Sequence, residues 1–130
     1  MAYEGAQHKV PGLKAGADLT TKQYYFVKLS AANTVDVCSG ATDKPIGVLQ
    51  NTPDNGDAAE VCWCGVTKVS ADAALTVGLL IGTSADGQAD AKTPGTDTTE
   101  YVVGQVIEAT TAAAGLATAL INCANPHRAA

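Results

Sequence analysis

Clusters of turn-forming residues recur along the whole chain, and they limit it to short elements. AAN (31–33), ATDKP (41–45), TPDNGD (52–57), ADG (85–87), TPGTDTTE (93–100) and TTAAAG (110–115) separate runs rich in Val, Ile, Thr and aromatic residues. Pro presets φ and Gly accepts left-handed φ. Asn and Asp bond their own backbone, so each cluster stops whatever element precedes it. The intervening runs predict strands: QYYFVKLS (23–30), TVDVCS (34–39), IGVLQN (46–51), AEVCWCGVTKVS (59–70), TVGLLIGTS (76–84), QADAK (88–92), YVVGQVIEA (101–109) and ATALINC (117–123). ADAAL (71–75) is expected to form one helical turn. The prediction is an all-β domain of about eight short strands, arranged as a sandwich or small barrel.

Residues 1–19 differ. Pro11, Gly12 and Gly16 exclude a helix, and residues 2–10 show no core pattern, so 1–19 is expected to be an extended N-terminal arm. The strand domain is then 20–124 and the tail 125–130 is expected to be irregular. A loose internal repeat runs through the domain. Ile46-Gly47-x-Leu49 and Val103-Gly104-x-Val106 each lead through a glycine-ended loop into a second strand. With one Phe, one Trp and one Met, the core must be built from small β-branched residues. A core that thin favours oligomerisation or docking on a larger structure.

Several functions are excluded. The net charge is −5 and the cations are scattered, whereas sequence-independent nucleic-acid binding needs clustered Lys and Arg to neutralise phosphates. Direct nucleic-acid binding is therefore not expected. No apolar run approaches the ~20 residues of a membrane-spanning helix. The polar N-terminus lacks the apolar segment of a secretory signal, so the chain is expected to stay in a reducing cytosol, where disulfides are rare. His8 and His127 fall in the arm and the tail, away from the rigid strands that would hold an imidazole against a nucleophile. Phosphate-binding glycine motifs are absent. No enzyme activity and no cofactor are expected.

The remaining chemistry centres on VCWCG (61–65) with Cys38 and Cys123. Side chains alternate along a strand, so Cys62 and Cys64 are expected on one face and Trp63 on the other. Zinc sites more often use C-x₂₋₄-C on a turn. Free cysteine packs well as a small apolar group, which is the expected role here, with no metal bound. Trp63 becomes a large anchor or an interface residue. Asp43, Asp54, Asp57, Asp86 and Asp97 sit in turns and suit local backbone bonding. TDKP (42–45) resembles the modified lysine of lipoyl-carrier domains, although Pro45 follows Lys44. A carrier module modified at Lys44 and a cysteine-based metal-binding protein are the alternatives.

Over residues 1–128 the chain resembles the capsid cement, or head-decoration, proteins of tailed bacteriophages. The resemblance rests on MAYEGAQ, LKAGADLTTKQYYFVKLS, TDKPIGVLQNTPDNGDAAEV, GVTKVSADAALTVGLLIGTSADGQA, TEYVVGQVIEA and LINCANPHR, in that order. The stretch from PIGVLQ to GLLIGT is similar to the core of the lambda-type decoration protein. The resemblance implies a compact β-barrel or β-tulip-like domain. It also implies a structural virion protein, made in the host cytoplasm, that sits on the outer surface of the capsid as a homotrimer. There it would clamp neighbouring subunits of the phage major capsid protein against the pressure of packaged DNA. In that setting an N-terminal arm formed by Ala2, Tyr3, Glu4, Gly5, Ala6, Gln7, His8, Lys9 and Val10 would grip the capsid by adding a strand to a neighbour's sheet.

Overall fold

The β-branched runs form strands where the turn clusters release them. In the computed structural model, which describes residues 1–130, there are twelve strands and no helix. They are β1 (Gln7–Val10), β2 (Lys14–Ala15), β3 (Phe26–Ala31), β4 (Thr34–Val37), β5 (Gly47–Leu49) and β6 (Val61–Ser70). β7 (Leu80–Thr83), β8 (Ala89–Ala91), β9 (Tyr101–Val102), β10 (Gly104–Glu108), β11 (Leu116–Asn122) and β12 (His127–Arg128) complete the chain. The all-β expectation holds. The number exceeds eight because residues 1–19 contribute β1 and β2, the tail contributes β12, and the run 101–109 splits into β9 and β10.

One sheet runs β2-β4-β3-β5-β6-β11-β10-β7-β8, with β1 also on β6, and β9 pairs with β12 in a small second sheet. β2 and β8 are not paired with each other, so the sheet does not close on itself. The anticipated helical turn at 71–75 is also absent. Ala71 bridges to Ala89 and Leu75 to Thr110, and both side chains are buried. Tertiary pairing overrides the local preference of an alanine-rich stretch.

The core has two parts. Phe26, Val48, Cys62, Val69, Ile81, Val106 and Ile121 lie in the larger cluster. Val27, Leu49 and Val61 lie in the smaller one, with Leu13, Ala15 and Leu19. Neighbouring residues on β3, β5 and β6 thus enter opposite clusters, and this centre of the sheet is buried on both faces. Segment 13–19 supplies the cover on the second face. It is fixed by backbone bonds from Lys14 to Asn33, Ala15 to Asp57 and Leu19 to Pro53. Residues 13–19 are therefore part of the domain and not of an arm. Apart from the two-residue β2 their backbone is irregular, so they carry no period long enough for the sequence to reveal. The tail is ordered too: β12 pairs with β9, and Ala129 is buried.

The internal repeat has a packing cause. β5–β6 and β10–β11 are both antiparallel pairs, each led by the repeated glycine. A Cβ on Gly47 would stand 2.4 Å from the Cys62 carbonyl oxygen, and one on Gly104 2.6 Å from that of Leu120. Only glycine lets the paired backbones approach this closely.

Candidate binding face

The N-terminal residues expected to reach outward lie on their own domain. β1 pairs antiparallel with β6, Gln7 opposite Gly65 and Val10 opposite Val61. The Gly5 N–H donates to the Val66 carbonyl, and the Val66 N–H donates to the Ala6 carbonyl, each at 3.0 Å. Further out, the Tyr3 N–H donates to Thr118 Oγ1 at 2.7 Å, and the Thr118 hydroxyl donates to the Tyr3 carbonyl at 3.0 Å. The Met1 amine reaches Glu108 at 3.5 Å. The segment therefore crosses β6, β11 and β10 in turn as a strap. It satisfies a strand edge that β6 would otherwise leave open. Mostly backbone groups hold it, which explains why its side chains show no core pattern. Tyr3, Glu4, His8 and Lys9 are exposed.

Gly65 permits the crossing. Its φ is +129°, and a Cβ there would lie 2.2 Å from the Ala6 carbonyl oxygen and 2.9 Å from the Gln7 Cα. The β1–β6 register shifts between His8 and Lys9, which oppose Cys64 and Cys62 and leave Trp63 as the extra residue of a bulge. A bulge breaks side-chain alternation. The two cysteines stay close, the Cys62 thiol lying 3.4 Å from the Cys64 carbonyl oxygen, but they differ in exposure. Cys62 is fully buried in the larger core, while Cys64 is half-buried and lines a surface cleft with Leu120 and Gln105. Trp63 is half-buried, its ring 5.8 Å from that of His8.

Trp63 faces a concavity. With Val10, Ile46, Cys123 and Ala124 it lines an apolar hollow of about 250 Å³. Ile46, Cys123 and Ala124 also line a larger cleft of about 570 Å³ whose walls include Lys28, Lys44 and Tyr101. The two form one groove. Asp43 organises its far wall: its carboxylate accepts bonds from Lys28 Nζ and the Ser39 N–H at 2.9 Å, and from the Gly40 N–H at 3.0 Å. Burial alone would raise the Asp43 pKa, but these bonds outweigh it and hold the carboxyl below its ordinary range. The same bond to Asp43 raises the pKa of Lys28. Lys44 is exposed on the β4–β5 connection and makes no ion pair, and the Pro45 that follows it is buried. The Arg128 guanidinium lies 5.5 Å from the Tyr101 ring centre, beside this wall.

The four cysteines are free thiols, and no group of three or more His, Cys, Asp or Glu is placed to hold a metal ion. Burial pushes the Cys38 thiol up to about 12 and also raises Cys62 and Cys123, so these groups stay protonated and weakly nucleophilic at neutral pH. His8 and His127 fall on β1 and β12, at opposite ends of the chain.

Two features had little signal in the sequence beyond Trp63. The groove is assembled from β3, the β4–β5 connection, β6, β9 and the end of β11, which only the folded register brings together. The second is Lys92, whose side chain is fully buried. Its amine donates to the Thr83 carbonyl at 2.8 Å, contacts Glu100 and lies 3.6 Å from Asp90. That cluster ties β7 and β8 to the loop before β9.

No protein-family model and no curated protein matches the chain. Among solved structures, its fold is similar to that of the head fiber gp8.5 N base in bacteriophage phi29. The match has a TM-score of 0.64 at 19% sequence identity and covers 91% of this chain and 94% of that one.

Proposed function

We propose that this protein is a structural component of a bacteriophage head. In this reading it binds the outer surface of the capsid as a homotrimer. It contacts the major capsid protein and cements adjacent subunits against the pressure of packaged DNA. The observation that carries the proposal is the fold likeness to a phage head fiber base along nearly the whole of both chains. The resemblance of residues 1–128 to head-decoration proteins points to the same class from the sequence. The thin core of small side chains and the exposed Leu29, Val77, Leu116 and Leu120 favour a chain that works in an assembly.

Residues 2–10 are proposed as part of the capsid contact. Folded onto β6, they would act as an edge strand, not as a free tail. β1 pairs only with β6, so its other edge is open to a neighbour's backbone. Tyr3, Glu4, His8 and Lys9 would then supply the side-chain contacts. Heads assembled without this protein provide the test. Purified chain should co-sediment with expanded heads and saturate at a fixed ratio to the capsid protein. Tyr3→Ala with Lys9→Glu should weaken binding while the melting temperature stays close to that of the parent. Absence of co-sedimentation at saturating concentration would refute the assignment.

A further inference from the structure

We infer that the groove running from Trp63 to Lys44 is a docking site for an extended segment of a partner protein in which an apolar side chain lies beside an Asp or Glu. The inference stands on the groove's chemistry and does not depend on the head-protein reading.

The groove is divided by chemistry. Its inner end consists wholly of apolar side chains, with Trp63 against Val10, Ile46 and Ala124. Its outer end carries the amines of Lys28 and Lys44, and no carboxylate lines either part. Lys28 is neutralised by its ion pair with Asp43 and by Asp36 opposite it on β4, but Lys44 has no ionic partner and keeps its charge. Arg128 adds a third cation beside Tyr101. This local sign opposes that of the whole molecule, whose net charge is −5. A partner carrying a carboxylate therefore gains attraction here that the rest of the surface denies it.

The two ends would have different roles. Filling the hollow beside Trp63 removes an aromatic and several aliphatic groups from water, and a central aromatic pocket of this kind carries most of the affinity in protein contacts. Lys44 is exposed, so its attraction governs selectivity and association rate more than affinity. The open edge of β1 lies beside Val10 at the apolar end and gives a bound strand backbone partners.

Trp63 is the only tryptophan, so its emission reports occupancy of the apolar end directly. Random linear peptides selected on the immobilised protein are the probe. Selected peptides should pair an aliphatic or aromatic residue with Asp or Glu, and they should shift Trp63 emission on titration. Lys44→Glu should slow their association about tenfold at low salt, with a smaller effect on dissociation. Ala124→Leu, at an exposed position that narrows the hollow, should weaken their binding. Both variants should melt as the parent does. The inference is overturned by selected peptides that lack acidic residues, by binding indifferent to both substitutions, by an unchanged Trp63 spectrum, or by the absence of any binder.

Discussion

Replacing Gly65 with Ala tests how the N-terminal strap is held without altering the strap itself. The site has two constraints. At φ +129° an L side chain is strained, which costs about 1–3 kcal/mol. The new Cβ would also sit 2.2 Å from the Ala6 carbonyl oxygen, a contact no real structure tolerates, so the strap must retreat. Retreat breaks the Gly5–Val66 and Val66–Ala6 backbone bonds and the bond from the Gln7 side-chain amide to the Val66 carbonyl. These bonds are partly exposed, and water replaces the lost partners, so each contributes about 0.5–1 kcal/mol, the lower part of the usual range. The sum is about 2.5–6 kcal/mol when both effects act in full, and about 2 kcal/mol if the backbone relaxes. For a domain of this size each kcal/mol lowers Tm by roughly 4 °C, so a fall of at least ~8 °C is expected. Thermal denaturation measures the fall, and amide hydrogen exchange at residues 5–10 reads the strap directly. The same substitution in a chain lacking residues 2–10 removes the steric part and leaves only the φ strain, so the two changes should be non-additive. An unchanged Tm together with retained protection at Gly5 and Val66 would refute the reasoning.

Other consequences are as direct. Lys92→Met strands Glu100, only 20% exposed, beside an apolar side chain, and should cost about 3 kcal/mol in urea denaturation; adding Glu100→Gln should restore part of it. Under native conditions a thiol reagent should modify Cys64 first, and Cys38 and Cys62 only on unfolding, because these last two are at most 1% exposed; equal rates at all four would contradict the assigned burial. Cys38 also sets an alkaline limit. Its pKa rises from the ordinary 9.0 to about 12 in the fold, so the unfolded chain loses its proton first. The Cys38 contribution to stability is then constant below pH 9 and is lost as pH rises from 9 towards 12, which urea midpoints against pH would record. Cys38→Ala should make that decline shallower, and the buried Cys62 and Cys123 thiols should sustain the rest.

The strands were legible because turn residues bound them and β-branched residues fill them. The runs at 23–30, 34–39, 59–70 and 117–123 all contain a strand. The glycine repeat was legible as well, since close backbone approach leaves glycine no substitute at 47 and 104. What stayed hidden depends on backbone pairing between distant segments. Leu13, Ala15 and Leu19 are core residues on a segment whose only regular piece is the two-residue β2, too short to display a period. The bulge at Trp63 is likewise invisible, because VCWCG alternates perfectly as text while the neighbours His8 and Lys9 on β1 oppose Cys64 and Cys62 and skip Trp63. The groove was half visible. Trp63 was marked as an interface candidate by its size, whereas Lys28, Lys44 and Tyr101 gave no sign that they meet.

The central claim is that this chain is a structural protein on the outside of a phage head. Electron cryo-microscopy of heads assembled without the protein and then saturated with it tests that claim most directly. The account predicts added all-β density on the outer surface, in three-fold clusters bridging neighbouring capsid subunits, with residues 2–10 at the contact. Saturated heads whose outer surface is identical to that of untreated heads would contradict it.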